Sequence, residues 1–227
     1  MTDAIILIDK QAGWTSFDVC AKIRSRIKAE YRMRGEKPTK RQLRVGHAGT
    51  LDPFATGLLV VLLGDATKKA DDFLKLDKWY EATIDLGATS STGDPEGEVI
   101  HTSDVVPTLN QINAIISQFL GEITQRPPIF SAIKINGRRA YDLARQGKSI
   151  QMPERTVSVY SLEVLDYTYP HLTIRVHVSS GTYIRSLAAD IGEALGTGAY
   201  CSQLRRTRIA DWDIAAAQTL QDFGITD

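Results

Sequence analysis

A run of six apolar residues at positions 58–63 is the feature that most constrains how this chain folds. The run is rich in Val and Leu and is short for a helix, so it predicts a β-strand buried on both faces. The preceding segment, GHAGTLDPFATG, places His47 and Asp52 on a glycine-bounded turn before that strand, and Pro53 restricts Asp52 to extended conformations. Two interpretations stay open: an ordinary turn in which the aspartate bonds its own backbone, or a carboxylate and an imidazole held rigidly for chemistry.

The composition is that of a globular protein. Of its 227 residues, 43% are hydrophobic and 24% charged, which is enough for one large domain with a substantial core. No apolar run reaches the length of a membrane span and the N-terminus lacks a signal peptide's basic region, so we expect a cytoplasmic protein without membrane contact. Cys20 and Cys201 are expected to be reduced, buried thiols. No zinc-ligand spacing occurs and no phosphate-binding loop ends in Gly-Lys-Ser/Thr, which argues against a metal site and nucleotide hydrolysis.

The net charge of zero conceals a strong asymmetry. Residues 22–44 contain ten Lys or Arg and two acids, a formal charge of +8, so the rest of the chain carries −8. Such a block is often a solvated helix face or loop, but it leads directly into the His47–Asp52 turn, where it favours contact with a polyanion such as a nucleic acid. Residues 32–44, which include Gly35 and Pro38, are predicted to form a mobile basic loop.

A second basic segment also contains aromatic residues. Residues 126–148 hold six basic residues and one acid together with Phe130 and Tyr141, a mixture that suits RNA because bases stack while cations hold phosphates. A hairpin followed by a short amphipathic helix is the structural alternative, and such a structure could also bind RNA.

The acids around Asp94 lack the spacing of a calcium loop, and a solvated turn is expected there. Arg185 lies in the first turn of a predicted helix, where a cation is unfavourable to the helix dipole and so indicates another use.

Strands alternate unevenly with helices along the chain, which indicates one α+β domain around a mixed or mainly antiparallel sheet. Ser16 is expected to cap a helix in which Val19, Ile23 and Ile27 recur at helical spacing. The other predicted helices cover residues 65–76, 109–120 and 184–195, and the predicted strands cover 4–8, 58–63, 80–86, 157–165 and 172–178.

Five segments, in order from about residue 5 to residue 209, carry a resemblance to a known family. They are GHAGTLDPFATGLL, KWYEATIDLGATSSTGDPEGEV, RPPIFSAIKINGRRAYDLARQG, GTYIRSLAADIGEALG and LRRTRI. In these segments the chain resembles the TruB family of bacterial tRNA pseudouridine-55 synthases, which is related to the guide-RNA enzymes of archaea and eukaryotes. The chain departs from the family at Gln11, where proline is usual.

The resemblance implies a pseudouridine synthase fold with a curved, mainly antiparallel central sheet flanked by helices and loops. It implies a catalytic domain at 1–209 with a thumb-like RNA-binding insertion at about 124–152. The tail at 210–227 is too short for the RNA-binding PUA domain that many members carry, and we expect the basic loop at 32–44 to substitute for it in part. The implied reaction acts on the T-loop and T-arm of tRNA without a cofactor or metal, and we expect a monomer.

The family's site residues fall on six positions of this chain. The resemblance makes Asp52 the catalytic aspartate and Arg185 its partner, since burial would raise the carboxyl pKa and a cation would oppose that. The substrate-binding residues are His47, which inserts into the T-loop; Tyr80, which stacks on the target base; and the pocket residues Tyr183, Arg185 and Leu204. From the residues alone, Tyr80 fits a core aromatic, Arg185 a surface residue and Leu204 a packing residue.

Two other functions compete with a stand-alone synthase. One is an RNA-binding or tRNA-folding module whose catalysis is dispensable, although the intact set of Asp52, Tyr80 and Arg185 argues against lost catalysis. The other is a guide-RNA-dependent synthase, which the bacterial-type segment at 126–147 disfavours. For a stand-alone synthase, the Asp52 carboxylate has three possible routes, namely attack at ribose C1′, attack at C6 of the base, or removal of a C2′ proton to give a glycal.

Overall fold

A computed structural model describes residues 3–131, 133–135, 137–147 and 150–225. Parts of the predicted thumb-like segment, at 132, 136, 148 and 149, therefore lie outside the described residues. The strands are β1 Ala4–Lys10, β2 Val45–His47, β3 Thr56–Leu63, β4 Lys78–Leu86, β5 Ala88–Ser90, β6 Val99–His101, β7 Gly121–Gln125, β8 Lys134–Ile135, β9 Arg138–Arg139, β10 Arg155–Thr168, β11 His171–Val178, β12 Ala199–Ile209 and β13 Trp212–Asp213. The α-helices are α1 Ser16–Met33, α2 Ala70–Leu74, α3 Leu109–Ile116, α4 Ala140–Arg145 and α5 Ile184–Ala194.

The chain divides into two units, which are described separately. The first unit comprises residues 1–80 and 204–227, and the second comprises residues 81–203. Strands β4 and β12 each have residues in both units. The described strand pairs are mainly antiparallel, as the sequence predicts for an α+β fold.

The buried strand β3 organises the first unit. It is antiparallel to β1 and to β2 and parallel to β12, where Arg206 lies opposite Gly57. Every residue of β3 after Thr56 is buried, which confirms the prediction of a strand covered on both faces. The core on one face of β3 consists of Leu58, Val60 and Leu62 packed with Ala48, Phe73 and Ile209.

Helix α1 packs beside this sheet through the apolar stripe that the sequence predicts, namely Val19, Ile23 and Ile27, and also buries Tyr31. Its capping residue is Thr15, not Ser16 as expected, because Thr15 and Asp18 form a reciprocal capping box. The helix also continues to Met33, so the basic loop begins two residues later than predicted.

The second unit contains the neighbouring strands β4, β11, β10 and β7 in that order. Strand β11, which is predicted at 172–178, alternates between buried and more exposed residues, with Leu172, Ile174, Val176 and Val178 buried. Helix α5, which is predicted at 184–195, buries Ile184, Leu187, Ala188 and Ile191. The segment after β7 forms the small β8–β9 hairpin and then α4, so its hairpin-and-helix prediction is confirmed.

Both cysteines are free and buried, as expected. Among the described residues, no helix is both long and apolar enough to cross a membrane.

Candidate active site

The connection between β2 and β3, residues 48–55, carries Asp52, and we call it the Asp52 loop. His47 is the last residue of β2 and lies opposite Val61 of β3. Asp52 itself is half-buried, while its neighbours Ala48, Leu51 and Ala55 are buried. The carboxylate is therefore carried by a loop whose flanking residues are anchored in the core.

Backbone hydrogen bonds fix the turn around Asp52. The Ala55 N–H donates to the Asp52 main-chain oxygen at 3.1 Å. The buried Ser16 hydroxyl accepts from the Leu51 N–H at 2.9 Å and donates to the Leu51 carbonyl at 3.2 Å. Ser16 thus ties the start of α1 to the residue just before Asp52.

A buried arginine holds the two ends of the Asp52 loop. Arg206 of β12 is 1% exposed, and its guanidinium donates to the Gly49 carbonyl at 3.1 Å, the Thr50 carbonyl at 3.5 Å and the Leu58 carbonyl at 2.8 Å. Gly57 has a φ of +103°, and a Cβ there would lie 2.3 Å from the Arg206 main-chain oxygen. Glycine is required at 57 because β12 approaches so closely.

A second buried cation reaches the residue that follows Asp52. The ammonium of Lys10, at the end of β1, donates to the carbonyls of Trp14 at 2.7 Å, Gln11 at 2.9 Å and Pro53 at 3.3 Å. The Gly13 N–H donates to the same Pro53 oxygen at 2.8 Å. Lys10, Ser16 and Arg206 together restrain the loop before and after Asp52.

The first unit also contains Tyr80 and Leu204, both of which are buried. Tyr80 belongs to β4 and Leu204 to β12, and the Leu204 carbonyl accepts from the Thr56 hydroxyl at 3.5 Å. Lys78, two residues before Tyr80, is buried, and its burial together with the Arg206 charge lowers its pKa to about 8.

In the second unit, Arg185 is fixed by an ion pair with Asp94. Its guanidinium donates to Asp94 Oδ2 at 2.9 Å, the Thr92 carbonyl at 2.8 Å and the Phe130 carbonyl at 2.8 Å. Both partners are almost inaccessible, with 4% of each side chain exposed. The interpretation of Arg185 as a surface residue is therefore wrong.

The prediction of a solvated turn is also wrong for Asp94. One of its oxygens accepts from the Thr92 hydroxyl at 2.6 Å and the Glu96 N–H at 3.0 Å, while the other bonds Arg185. A buried carboxylate needs such partners. Sequence reasoning missed this pair because its members are 91 residues apart and meet only in the folded unit.

Tyr183 immediately precedes α5 and is locked to β7. Its N–H donates to the Gln125 side-chain oxygen at 3.1 Å, and the Gln125 amide donates back to the Tyr183 carbonyl at 3.3 Å. The guanidinium of Arg155 lies 5.8 Å from the centre of the tyrosine ring. The cation therefore covers part of the ring.

A cavity of about 700 Å³ lies beside Arg185 in the second unit. Its lining includes Phe130, Arg126 and Asp190. Burial and the nearby Glu193 charge raise the pKa of Asp190 to about 6. Within the described part of the chain, no three His, Cys, Asp or Glu side chains are arranged to hold a metal ion.

Comparison with known proteins extends these observations. The family model described as "TruB family pseudouridylate synthase (N terminal domain)" matches residues 37–184, and the one described as "tRNA pseudouridylate synthase B C-terminal domain" matches residues 185–225. The tRNA pseudouridine synthase B of Dechloromonas aromatica (strain RCB) is 42% identical over 225 residues, which cover 99% of this chain and 71% of that protein. The protein of the same name from Corynebacterium jeikeium (strain K411) is 43% identical over 229 residues, covering 96% of this chain and 70% of that protein.

Solved structures show the same fold. A chain in the crystal structure of a Cbf5-Nop10-Gar1 complex superimposes with a TM-score of 0.71 at 34% identity, over 96% of this chain and 52% of that one. A chain of an H/ACA RNP bound to a substrate RNA containing 2′-deoxyuridine gives a TM-score of 0.66 at 30% identity, over 98% of this chain and 56% of that one. This chain thus spans about half the length of those solved chains.

The fold and the matched sequence segments define a pseudouridine synthase. Within that class, the chain belongs to the TruB family, which confirms the resemblance. The two family models meet between Ile184 and Arg185, at the start of α5. The catalytic domain predicted at 1–209 and the roles of the six site residues stay predictions.

Proposed function

We propose that this protein isomerises uridine 55 in the T-loop of tRNA to pseudouridine, with Asp52 as the catalytic residue. The observation that carries the proposal is the restraint of the Asp52 loop by Lys10, Ser16 and Arg206. Rigid support of this kind suits a group that must meet a reacting atom in one geometry. The name shared by its relatives, tRNA pseudouridine synthase B, supports tRNA as the substrate.

The reaction can be balanced with one carboxylate. The N1–C1′ bond breaks, the uracil turns, and a new C5–C1′ bond forms; the C5 proton is lost and N1 gains a proton. Uridine and pseudouridine are isomers, so no oxidant or reductant is consumed. An ionised Asp52 serves each of three routes: attack at C1′, attack at C6, or removal of the C2′ proton.

We assign the other predicted site residues to substrate binding. The target base must leave the folded T-loop, which costs a few kcal/mol of unstacking. Stacking on Tyr80 would recover about 1–3 kcal/mol of that, and His47 would insert into the T-loop in place of the base. Leu204, Tyr183 and Arg185 are likewise assigned to substrate binding.

Tritium release from an unmodified tRNA transcript carrying [5-³H]uridine tests the proposal. We expect release by the native protein and a fall of more than about 1,000-fold in the single-turnover rate for Asp52→Asn, because the ionised carboxylate is lost while the side-chain shape is kept. Asp71→Asn, an exposed change in α2, is the matched control and should keep the native rate. A transcript with cytidine at position 55 should release no tritium from that site.

The outcomes separate the two main functions. Release by Asp52→Asn at the native rate would overturn the catalytic assignment. Tight binding of the transcript by the native protein without any release would favour the RNA-folding module instead. Release that persists when position 55 is cytidine would refute uridine 55 as the target and leave the class of reaction intact.

A further inference from the structure

We propose that the C-terminal half of α1 and the loop that follows it bind the phosphate backbone of the RNA substrate, away from the reacting nucleotide. This inference rests on the proposed function and adds a second contact to it. The surface is built around a cavity of about 610 Å³, which we call the α1 cavity.

One face of α1 supplies one wall of the α1 cavity. Ser25, Lys28, Ala29 and Arg32 line it, and their spacing of three and four residues places them on the same side of the helix. This wall lies opposite the buried stripe that includes Ile23 and Ile27, so α1 packs with one face and presents cations with the other.

The chain reverses after α1 and supplies the opposite wall. Gly35 has a φ of +70°, its N–H donates to the Arg32 carbonyl at 3.1 Å, and the Glu36 N–H donates to the Tyr31 carbonyl at 2.9 Å. This left-handed turn is a common way to end a helix. It brings residues 35–38, including Lys37, against the last turns of α1.

Several cations of the basic segment are already occupied within the protein. Arg24 donates to the carbonyls of Leu43 and Val45. Arg26 and Arg34 both pair with Glu30. The arginines at the far end of the segment, Arg41 and Arg44, pair with acids of the first unit, namely Asp3 and Asp65.

Three of the remaining cations line the α1 cavity, whereas Lys22 lies over the Trp14 ring. Within the described residues, Lys28, Arg32 and Lys37 are exposed and form no ion pair, and Lys40 nearby is in the same state. Glu36 is the one acid that lines the cavity. The helix dipole favours a cation in the last turn, but this explains Arg32 and not the whole set.

The lining identifies the part of the RNA that would bind here. The α1 cavity contains cations, a hydroxyl and small residues, and none of its lining residues is aromatic. Bases need a ring or a guanidinium plane on which to stack, whereas phosphates need charge and room to approach. The cavity in the second unit has Phe130 in its lining and suits a base better. The α1 cavity therefore suits the sugar-phosphate backbone.

The test is a charge-neutralised variant, Lys28→Gln/Arg32→Gln/Lys37→Gln, compared with the native protein for binding an unmodified tRNA transcript. Fluorescence anisotropy is measured between 50 and 300 mM KCl. Three lost phosphate contacts should weaken binding about tenfold at 100 mM KCl and reduce the slope of log K against log salt by about two to three. The single-turnover rate at saturating protein should stay native, because the reacting groups are untouched.

The matched control removes three positive charges elsewhere, Lys68→Gln/Lys69→Gln/Lys75→Gln, from exposed positions. It should keep the native affinity and salt slope. An unchanged slope in the α1 variant, or an equal loss in the control, would overturn the inference. Because binding is measured apart from isomerisation, a native protein that binds tRNA without modifying it would refute the proposed function and leave this test intact. Thermal unfolding of both variants checks that each is folded.

Discussion

Arg206 in the first unit and Arg185 in the second are both buried arginines that fix an irregular segment, yet they are satisfied in different ways. Arg206 donates to backbone carbonyls of Gly49, Thr50 and Leu58. Arg185 also donates to two carbonyls, but its strongest partner is the buried carboxylate of Asp94. The guanidinium suits both arrangements because its donors form a planar fork that reaches several acceptors at once.

The difference lies in what each arginine depends on. Arg185 forms a buried ion pair with Asp94, so a single substitution at Asp94 removes a counter-charge from the interior. Arg206 is held by backbone groups that no substitution removes. The Arg185 arrangement can therefore be disrupted by substituting its partner Asp94, whereas the Arg206 arrangement is disrupted by substituting the arginine itself.

Asp94→Ala should have the largest effect, because it removes the carboxylate from a buried ion pair with Arg185. We expect a loss of about 3–5 kcal/mol in the free energy of unfolding, measured by urea denaturation. The double variant Asp94→Leu/Arg185→Met removes both charges and should be clearly more stable than Asp94→Ala. If the double variant were the less stable one, the ion pair would not be the reason for the loss.

Arg206→Met should have the next largest effect, since it leaves the carbonyls of the Asp52 loop without their donors. We expect a loss of about 2–3 kcal/mol in the free energy of unfolding. The single-turnover rate should fall more than about tenfold at unchanged tRNA affinity, because Asp52 would no longer be held in place. Arg206→Lys keeps the positive charge but lacks the planar set of guanidinium donors, so it should be more stable than Arg206→Met and less stable than the native protein.

The rate is what distinguishes positioning from general stability. A variant with a similar loss of stability in the same unit, Ile23→Ala in the core face of α1, serves as the control. It should keep the native rate at a temperature where it is fully folded. If both variants lost rate equally, the contacts of Arg206 to Gly49 and Thr50 would have no special role in catalysis.

The two arginines also show which features the sequence predicts and which it does not. Strand β3 was predictable because six consecutive apolar residues have few alternatives, and β11 because its alternation of polar and apolar residues is regular. The burial of Lys10 and Arg206 was not predictable, since charged residues are mostly exposed. Their acceptors include carbonyls of distant segments, Pro53 for Lys10 and Gly49 for Arg206, which reach them only in the folded unit.

The candidate site also contains residues that the sequence predicts and residues that it does not. Asp52, Tyr80 and Arg185 lie in family segments that identify them directly. Asp94 also lies in one of those segments, yet the sequence predicts only a solvated turn there. The sequence shows that Asp94 is acidic, but it does not show that Arg185 is its partner. The burial of an ion pair depends on both of its residues, so neither residue alone predicts that it is buried.

Asp190 offers the smallest and most selective test, because it is a half-buried carboxylate that contrasts with Asp94. Asp94 has a guanidinium partner, whereas the charged neighbour that shifts Asp190 is Glu193, and burial together with that charge raises the Asp190 pKa to about 6. Between about pH 4 and pH 6 the folded state binds more protons than the unfolded chain, so this group makes the protein less stable as the pH rises. Asp190→Asn should therefore stabilise the protein at pH 7.5, by on the order of 1 kcal/mol after allowing for solvent screening, and should give no gain at pH 4.

Urea denaturation at the two pH values measures this difference. Glu193→Gln is the matched control and should give a smaller gain at pH 7.5, since it removes the repulsion but not the burial. An equal gain from Asp190→Asn at pH 4 and pH 7.5 would mean that packing or local hydrogen bonding, not charge, is responsible. The contrast between a paired and an unpaired carboxylate in one unit would then lose its electrostatic basis.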